Sequence, residues 1–533
     1  MRLLFVVGSM VTLALAGCGE SRLTVELCNE VRDGQLTKAQ STIDSLYGSS
    51  SDDALVKHME KGLVAHLQGD FSGSDSELDA AAPLVDDLRG NHMVDAVTSA
   101  LFNDTITTYV GRPFEHTQVD YYRVLNNLLG AQAAEGRWVP PTLVVPNREP
   151  LIAPLAANPQ NAYEKAIICA RRMTVNQLKE TSDAADGSRY DDDPFARVLA
   201  AAAILCEAPG DRTESDQQFA TAMLTRALKA YNAQEDSLGK PGNPFRYEVA
   251  RAPQIASTLY LRQLKGYDPD FYATESARLQ GNGDVPAGSG SLLVLNHVGF
   301  IARPEPLQIG IAAIGFSTPK DATSFNWGGI GFYASGPGSE IARSWTALPI
   351  PGDVVQKCLA PGGATVIGFE IPVHAPDAPL GGPATVTAGG VSRTAEVLCD
   401  LDAYARSELK EKQPKVLLKT LIRVAAKQTL VGLGAAAIGK KHDSPEGQLL
   451  SFAVNLVGSA LATASESADL RAWNTLPDHI EASLIDLPAG TYPLSITTVY
   501  GTRDLGTIRI DAGRLTLAAV RTMPPQPITL RNP

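Results

Sequence analysis

The sequence predicts a multidomain α+β protein: an N-terminal α-solenoid, then a β-rich, sandwich-like domain with an inserted helical hairpin. Three observations predict it. Between residue 23 and about 280, apolar residues recur at three- and four-residue spacing, interrupted only by short Gly, Pro, Ser or Asp breaks. From Gly281 glycine, proline and β-branched residues dominate. The tail, 480–533, alternates apolar and polar residues around Pro-Ala-Gly, Gly-Thr and Ala-Gly turns.

In chain order the first element is a leader. Arg2 supplies a positive start, Leu3 to Leu15 an apolar run, and Ala14, Ala16 and Gly17 the small residues before a cleavage point. Residues 1–17 therefore read as a signal peptide. The run is shorter than the roughly 20 residues that a bilayer span needs. Leu15-Ala16-Gly17-Cys18 resembles the bacterial lipobox, which implies lipid attachment at Cys18 and a mature protein that starts there. Two or more acyl chains make a stable anchor, and residues 18–22 read as the lipidated tether. Gly19 stands where an Asp retains lipoproteins at the inner membrane, which implies the outer membrane.

The helical region, 23–280, is assigned helices at 36–47, 54–67, 78–88, 94–109, 119–129, 162–178, 195–206, 219–231 and 255–264. "MEKGLVAHLQGDFSGSDSELDAAAPLVDD" (59–87) is similar to a tetratricopeptide repeat. Gly62 falls where two helices pack closely, Gly69 and Phe71 mark the turn, and Leu78 and Ala81 line the second helix. Weaker echoes at 161–173 and 209–232 make this half a tetratricopeptide-like (TPR-like) α-solenoid. A proline-rich insertion, 131–160, lacks helical period and reads as a surface loop or hairpin, with Trp138 anchoring a candidate binding surface. Residues 281–290 read as a linker. The β-rich domain comprises 291–401 and 480–533, with strands at 307–314, 363–372, 384–388 and 394–399. The tail is expected to complete the sheet opened near 292, and 402–479 to form the inserted helical segment.

Charge and motifs narrow the function. The 46 Lys plus Arg against 58 Asp plus Glu leave a net charge of −12, which disfavours nucleic acid, whose binders present a basic stripe. Gly434, Gly439 and Lys440 have the spacing of a phosphate-binding loop, but residue 441 is Lys where magnesium needs Ser or Thr, so no nucleotide is expected. The sequence contains neither a nucleophile elbow nor a zinc-binding helix motif, and its eight histidines are scattered. No cofactor, metal ligand or catalytic residue is assigned. His297, beside Asn296 at a strand end, lacks a recognisable nucleophile partner and reads as a packing histidine. Asp191, Asp192 and Asp193 lack the glycine and distal glutamate of a calcium loop and read as a solvated turn.

With Cys18 assigned to lipid, five cysteines remain of the six. An exported chain keeps disulfides, so Cys169–Cys206 and Cys358–Cys399 are candidate bridges; the alternative is buried free thiols. Lys415, Lys419, Arg423 and Lys427 recur every four residues and form a basic ridge on a helix. That ridge reads either as a solvated face or as a surface for a membrane or acidic partner.

"GRPFEHTQVDYYRVLNNLLG" (111–130), "YEKAIICARRM" (163–173) and "VLNHVG" (294–299) resemble an uncharacterised family of bacterial lipoproteins with a TPR-like helical N-terminal half. The resemblance spans roughly residues 50 to 300, and the 131–160 insertion departs from it. It implies architecture and cell-envelope placement, and it carries no activity. Within these motifs Glu115 suits the first turn of a helix, and Tyr121 and Tyr122 are expected to pack across helices with hydroxyls outward. The expectation is a non-enzymatic scaffold or adaptor facing the periplasm, joined to the membrane through Cys18 and binding other envelope proteins. One alternative is a structural or secretion component whose hairpin, 415–464, touches membrane. Another is an envelope enzyme with its site near His297.

Overall fold

Ten helices order the first half of the chain: α1 (22–32), α2 (Leu36–Tyr47), α3 (Ala54–Leu67), α4 (Phe71–Gly90), α5 (Pro113–Ala134), α6 (Pro159–Ser182), α7 (Pro194–Leu205), α8 (Glu214–Ser237), α9 (Gln254–Tyr267) and α10 (Pro269–Leu279). This is a computed structural model that describes residues 22–90, 108–138, 143–144, 159–182, 193–237, 253–311, 323–327, 330–335, 339, 368–374, 381–410, 412–413, 416–417, 419–420, 423 and 468–529. All counts refer to those residues. Helices α5, α6, α7 and α10 open on proline, whose missing N–H costs nothing at a first helical position. Between α3 and α4 the chain turns at Gly69, φ +77°. The two helices then meet at Gly62, where a Cβ would lie 2.7 Å from Leu78 Cγ and Cδ2. Only glycine permits that approach without displacing Leu78. The helix assigned to 94–109 lies largely outside the described residues, and Thr108 and Tyr109 are not helical.

Helix α7, PFARVLAAAAIL, is buried along its whole length, as a helix apolar on nearly every side must be; its one charged residue, Arg197, is buried with it. Helix α5 is buried almost throughout its 22 residues although it carries Glu115, Gln118, Asp120, Arg123, Asn126 and Gln132. Buried polar groups need partners, and the neighbouring helices supply them. Arg123 pairs with Asp79 of α4, approaches Asp75 at 3.4 Å and lies 3.7 Å from Asp120. Asn176 of α6 donates to Asp120 Oδ2 at 2.8 Å.

The strands are β1 (Leu143–Val144), β2 (Ser289–Val298), β3 (Glu305–Ile311), β4 (Thr323–Trp327), β5 (Ile330–Ser335), β6 (Gly368–Val373), β7 (Thr385–Ala388), β8 (Val391–Thr394), β9 (Glu396–Asp400), β10 (His479–Pro488), β11 (Gly490–Thr498), β12 (Gly501–Ile510) and β13 (Leu515–Thr522). They form three sheets, ordered β1-β13-β2-β10-β9, β12-β11-β7-β8 and β4-β5-β3-β6. Strand β2 is buried at every position and lies between two strands of the tail. Its Leu293 faces Leu484 of antiparallel β10 and Leu517 of parallel β13. The β7–β8 hairpin turns on Gly389 and Gly390, both at positive φ, the conformation that a two-residue hairpin loop demands.

The helices and the two sheets β1-β13-β2-β10-β9 and β12-β11-β7-β8 share one apolar core that runs from Leu27 through Leu125 and Val198 to Leu295 and Leu517. Side chains from the helical part complete the sheet. Gln132 Nε2 donates to Leu517 O at 3.0 Å, and its Oε1 accepts from Leu517 N at 2.8 Å. Arg137 donates to Leu515 O at 3.1 Å. These bonds satisfy the edge of β13 beyond its short pairing with β1, an edge that otherwise invites another strand.

Several boundaries differ from the sequence reading. The 131–160 insertion begins inside α5, which runs to Ala134, and contains β1, paired in parallel with Arg521 and Thr522. Trp138 offers no binding surface: it is 2% exposed and donates Nε1–H to Leu505 O at 3.1 Å. Burying an indole is favourable when its N–H finds an acceptor. Residues 281–290 are no free linker, since β2 starts at Ser289 and a Cβ on Gly283 would sit 2.7 Å from the Leu261 backbone. The helical insert expected over 402–479 is helical at 401–410 (α11) and at every described residue from 412 to 423, whereas 468–478 is irregular and packed around buried Trp473. Asp193 is not solvated; it is buried, and its Oδ1 accepts from Phe195 N at 2.9 Å to cap α7. Asp191 and Asp192 lie outside the described residues.

Candidate functional site

The end of β2 that carries His297 abuts the middle of α5. There Tyr121 O–H donates to His297 Nε2 at 2.8 Å, and His297 Nδ1 faces Val520 O of β13 at 3.2 Å. A carbonyl only accepts, so Nδ1 carries the proton and Nε2 the lone pair. The ring stacks on Tyr122 and stands edge-on to Tyr121, each at 5.9 Å between centroids. Phe195 of α7, His66 of α3 and Trp473 extend this cluster, at 5.9 Å from Tyr121, 5.1 Å from Tyr122 and 6.0 Å from Tyr122 respectively. Burial, reinforced by the charge of Arg521, pushes the His297 pKa down to about 3. Burial also lifts the Tyr121 hydroxyl well above its ordinary value. At neutral pH the pair is therefore an uncharged imidazole and an uncharged phenol that fasten α5 to β2 and β13. Tyr121 and Tyr122 turn inward, contrary to the outward hydroxyls expected from sequence.

Two glutamates fix the irregular 473–475 segment against this hub. Glu60 Oε1 accepts from Asn474 N at 2.7 Å and its Oε2 takes the Thr475 hydroxyl; burial raises its carboxyl pKa to about 7. Glu115, third residue of α5, accepts from Tyr109 O–H at 2.6 Å and from Arg112 N and Trp473 N, each at 2.9 Å. Arg521 of β13 donates through Nε and Nη2 to Gly299 O and through Nη2 to Thr475 O. Sequence reasoning missed Glu60 and Arg521. The readable signal for the second was an arginine inside the otherwise apolar LTLAAVRT.

The other residues singled out in the sequence do not gather at one place. Cys18, Cys358, Lys415 and Lys427 lie outside the described residues. Cys169 and Cys206 are free, buried thiols, not a bridge. They face different neighbours, Cys169 towards Arg123 and Asp120 and Cys206 towards Arg137 and Arg514, and burial raises each to about 11. Cys399 is also a free thiol and faces Asp193 Oδ2 at 3.7 Å. Arg423 is 3% exposed and donates to Thr420 Oγ1 at 3.2 Å, so it does not share a solvent-facing ridge with half-buried Lys419.

The outer face of α6 presents a different surface. Ile168, Val175 and Leu178 are 65%, 50% and 46% exposed, and their seven- and three-residue steps place them on one side of the helix. The opposite side, with Tyr163, Ala166, Ala170 and Met173, is buried. Arg171 lies within the outer stripe, paired with Asp216 at 2.9 Å and held over the Phe219 ring at 4.9 Å.

Among the described residues no cluster of three or more His, Cys, Asp or Glu is arranged to hold a metal, and no helix is long and apolar enough to cross a membrane. A cavity of about 410 Å³ beside α1 is lined by Glu26, Glu30, Asp33 and Lys38, whose charges largely pair with one another and with Arg32. No known protein family, curated protein or solved structure matches the chain.

Proposed function

We propose that the protein is a non-enzymatic adaptor of the bacterial cell envelope, anchored by lipid at Cys18, that binds an apolar helix of another envelope protein along the outer face of α6. The carrying observation is the stripe of Ile168, Val175 and Leu178. Its spacing follows a heptad seam, the pattern into which a partner helix sets its own apolar row. Exposed apolar clusters of this kind mark interaction sites more often than isolated exposed residues do. The leader and lipobox support the envelope placement, as does the resemblance to the TPR-like lipoproteins. The α3–α4 pairing through Gly62 and Leu78 supports the helical-repeat reading. Apolar side chains of both the β2–β10–β13 and β7–β11–β12 sheets in one core support the sandwich reading. The burial of Tyr121 and His297, 0% and 3% exposed, favours the adaptor over an enzyme working through His297.

The test is photo-crosslinking in cells from a probe at Glu164, an exposed residue on α6. One discrete adduct is expected, falling at least tenfold in the Ile168→Asp/Val175→Asp double variant while the purified variant keeps its stability within about 0.5 kcal/mol. Membrane fractionation of Cys18→Ala tests the anchor in the same cells, with release into the soluble fraction expected. Adducts unchanged by the double variant would rule out the α6 face.

A further inference from the structure

We infer that the open cavity beside α1 takes the phosphoethanolamine headgroup of a membrane lipid, with the ammonium on Glu30 and the phosphate on Arg22. The choice of a lipid rests on the anchor at Cys18 proposed above. Arg22, Glu26, Asn29 and Glu30 of α1, Asp33 just beyond it and Lys38 of α2 line the cavity. The α1 residues recur at steps of three and four, so one face of the helix forms the wall. The volume, about 410 Å³, lies in the range of small-ligand sites.

The charges on this wall do not cancel where they stand. Lys38 Nζ lies 3.0 Å from Glu26 Oε1 and 2.8 Å from Glu30 Oε1, so two carboxylates share one ammonium. Glu30 is 4% exposed, and its Oε2 has no hydrogen-bond donor among the described residues. A buried carboxylate oxygen without a donor is unfavourable. The neighbouring groups are engaged elsewhere. Asp33 accepts from Arg32 Nε and Nη2 at 2.9 and 2.7 Å, and Asn29 bonds both backbone groups of Ile528 at 2.8 and 2.9 Å. Two helical turns from Glu30, about 12 Å along the axis, exposed Arg22 pairs with no acid among the described residues.

The wall therefore offers an acceptor for an ammonium in its middle and a guanidinium for an anion at its end. A metal ion needs more oxygens than Glu26 and Glu30 supply, and Lys38 repels it. A free amino acid holds its two charges too close together to span the wall. Phosphoethanolamine separates them by an ethylene ester link and, with the Arg22 side chain extended, bridges both. Cys18 is four residues from Arg22, so covalent geometry keeps the lipidated cysteine within about 14 Å of this end of the cavity. Lipid headgroups are then the nearest source of the ligand.

The experiment has two arms. In solution, the chain carrying Cys18→Ala is titrated calorimetrically with glycerophosphoethanolamine and with glycerophosphocholine, whose ammonium has no N–H to give Glu30. One site is expected for the first ester, and at least tenfold weaker binding for the second. Glu30→Gln is expected to weaken the first at least tenfold. Arg22→Ala, at an exposed position, is expected to do the same and decides the matter should Glu30→Gln not fold. In membranes, the lipidated protein is expected to melt about 1–2 °C higher in vesicles that contain phosphatidylethanolamine than in phosphatidylcholine alone, with no such difference in Glu30→Gln. Equal affinity for the two esters, or binding untouched by both variants, overturns the site. Binding of the free ester with equal melting in the two vesicles overturns the lipid source. Failure of the anchor shows in the fractionation of Cys18→Ala, whereas failure of the cavity shows in the titration, so the two readings fail separately.

Discussion

Glu115→Ala is expected to lower the unfolding free energy by roughly 3–5 kcal/mol. The carboxylate is the shared acceptor for Tyr109 O–H, Arg112 N–H and Trp473 N–H, at 2.6, 2.9 and 2.9 Å. Alanine orphans all three, and a buried donor left unsatisfied costs about 1–3 kcal/mol. The loss is larger than for an ordinary helix-cap deletion, about 1 kcal/mol, because one bond crosses to the 473–475 segment and holds Trp473 in the core. Urea unfolding followed by tryptophan fluorescence measures it. Glu164→Ala, at an exposed position of α6, serves as the control, with a change within about 0.5 kcal/mol. A Glu115→Ala loss below about 1 kcal/mol would show that these bonds do not hold the segment.

The second large effect is a loss of stability in alkali that depends on His479. Burial alone lowers the pKa of this residue, but Asp478 Oδ1 at 2.8 Å and Glu481 Oε1 at 3.3 Å outweigh burial and raise it to about 9. A folded pKa above the unfolded value of about 6.5 means that the folded state holds the proton more tightly. The stabilisation is complete below about pH 6.5 and disappears as pH rises through about 9. The interval corresponds to about 3 kcal/mol. Glu60 and Asp120, raised by burial to about 7 and about 6, act in the same direction over a lower window, beginning at their unfolded values near pH 4. Wild-type stability is therefore expected to fall between pH 6.5 and 9.5, with most of that slope absent in His479→Asn. An unchanged slope in the variant would mean that His479 carries no stabilising proton.

Local features were legible in the sequence and long-range ones were not. Apolar spacing located α2 and α3 at their observed bounds, because each buries one face along neighbouring turns. Gly62 and Gly69 marked the α3–α4 pair, since a close approach and a left-handed turn leave a glycine behind. Gly389-Gly390 carried an equally plain hairpin signal that was overlooked, and β8 went unassigned with it. The hub was invisible. Tyr121 and His297 are 176 residues apart, and Glu115 and Trp473 are 358 apart. Nothing in periodicity connects positions so distant. For the same reason α5 read as an ordinary amphipathic helix, although its polar residues face partners on α4, α6 and β13 instead of water. The candidate bridge Cys169–Cys206 rested on proximity in sequence, which does not fix the direction in which a thiol points.

The central claim is that the helices and the two sheets that contain β2 and β11 form one body with α5 as its shared axis. Native-state hydrogen exchange across a urea series tests it directly. Amides of α5, β2 and β13 should exchange in a single class, with one opening free energy and one dependence on urea equal to those of global unfolding. If α5 opened with the rest of the helical half at lower free energy while β2 and β13 stayed protected, the chain would consist of two separately stable parts and the claim would be contradicted.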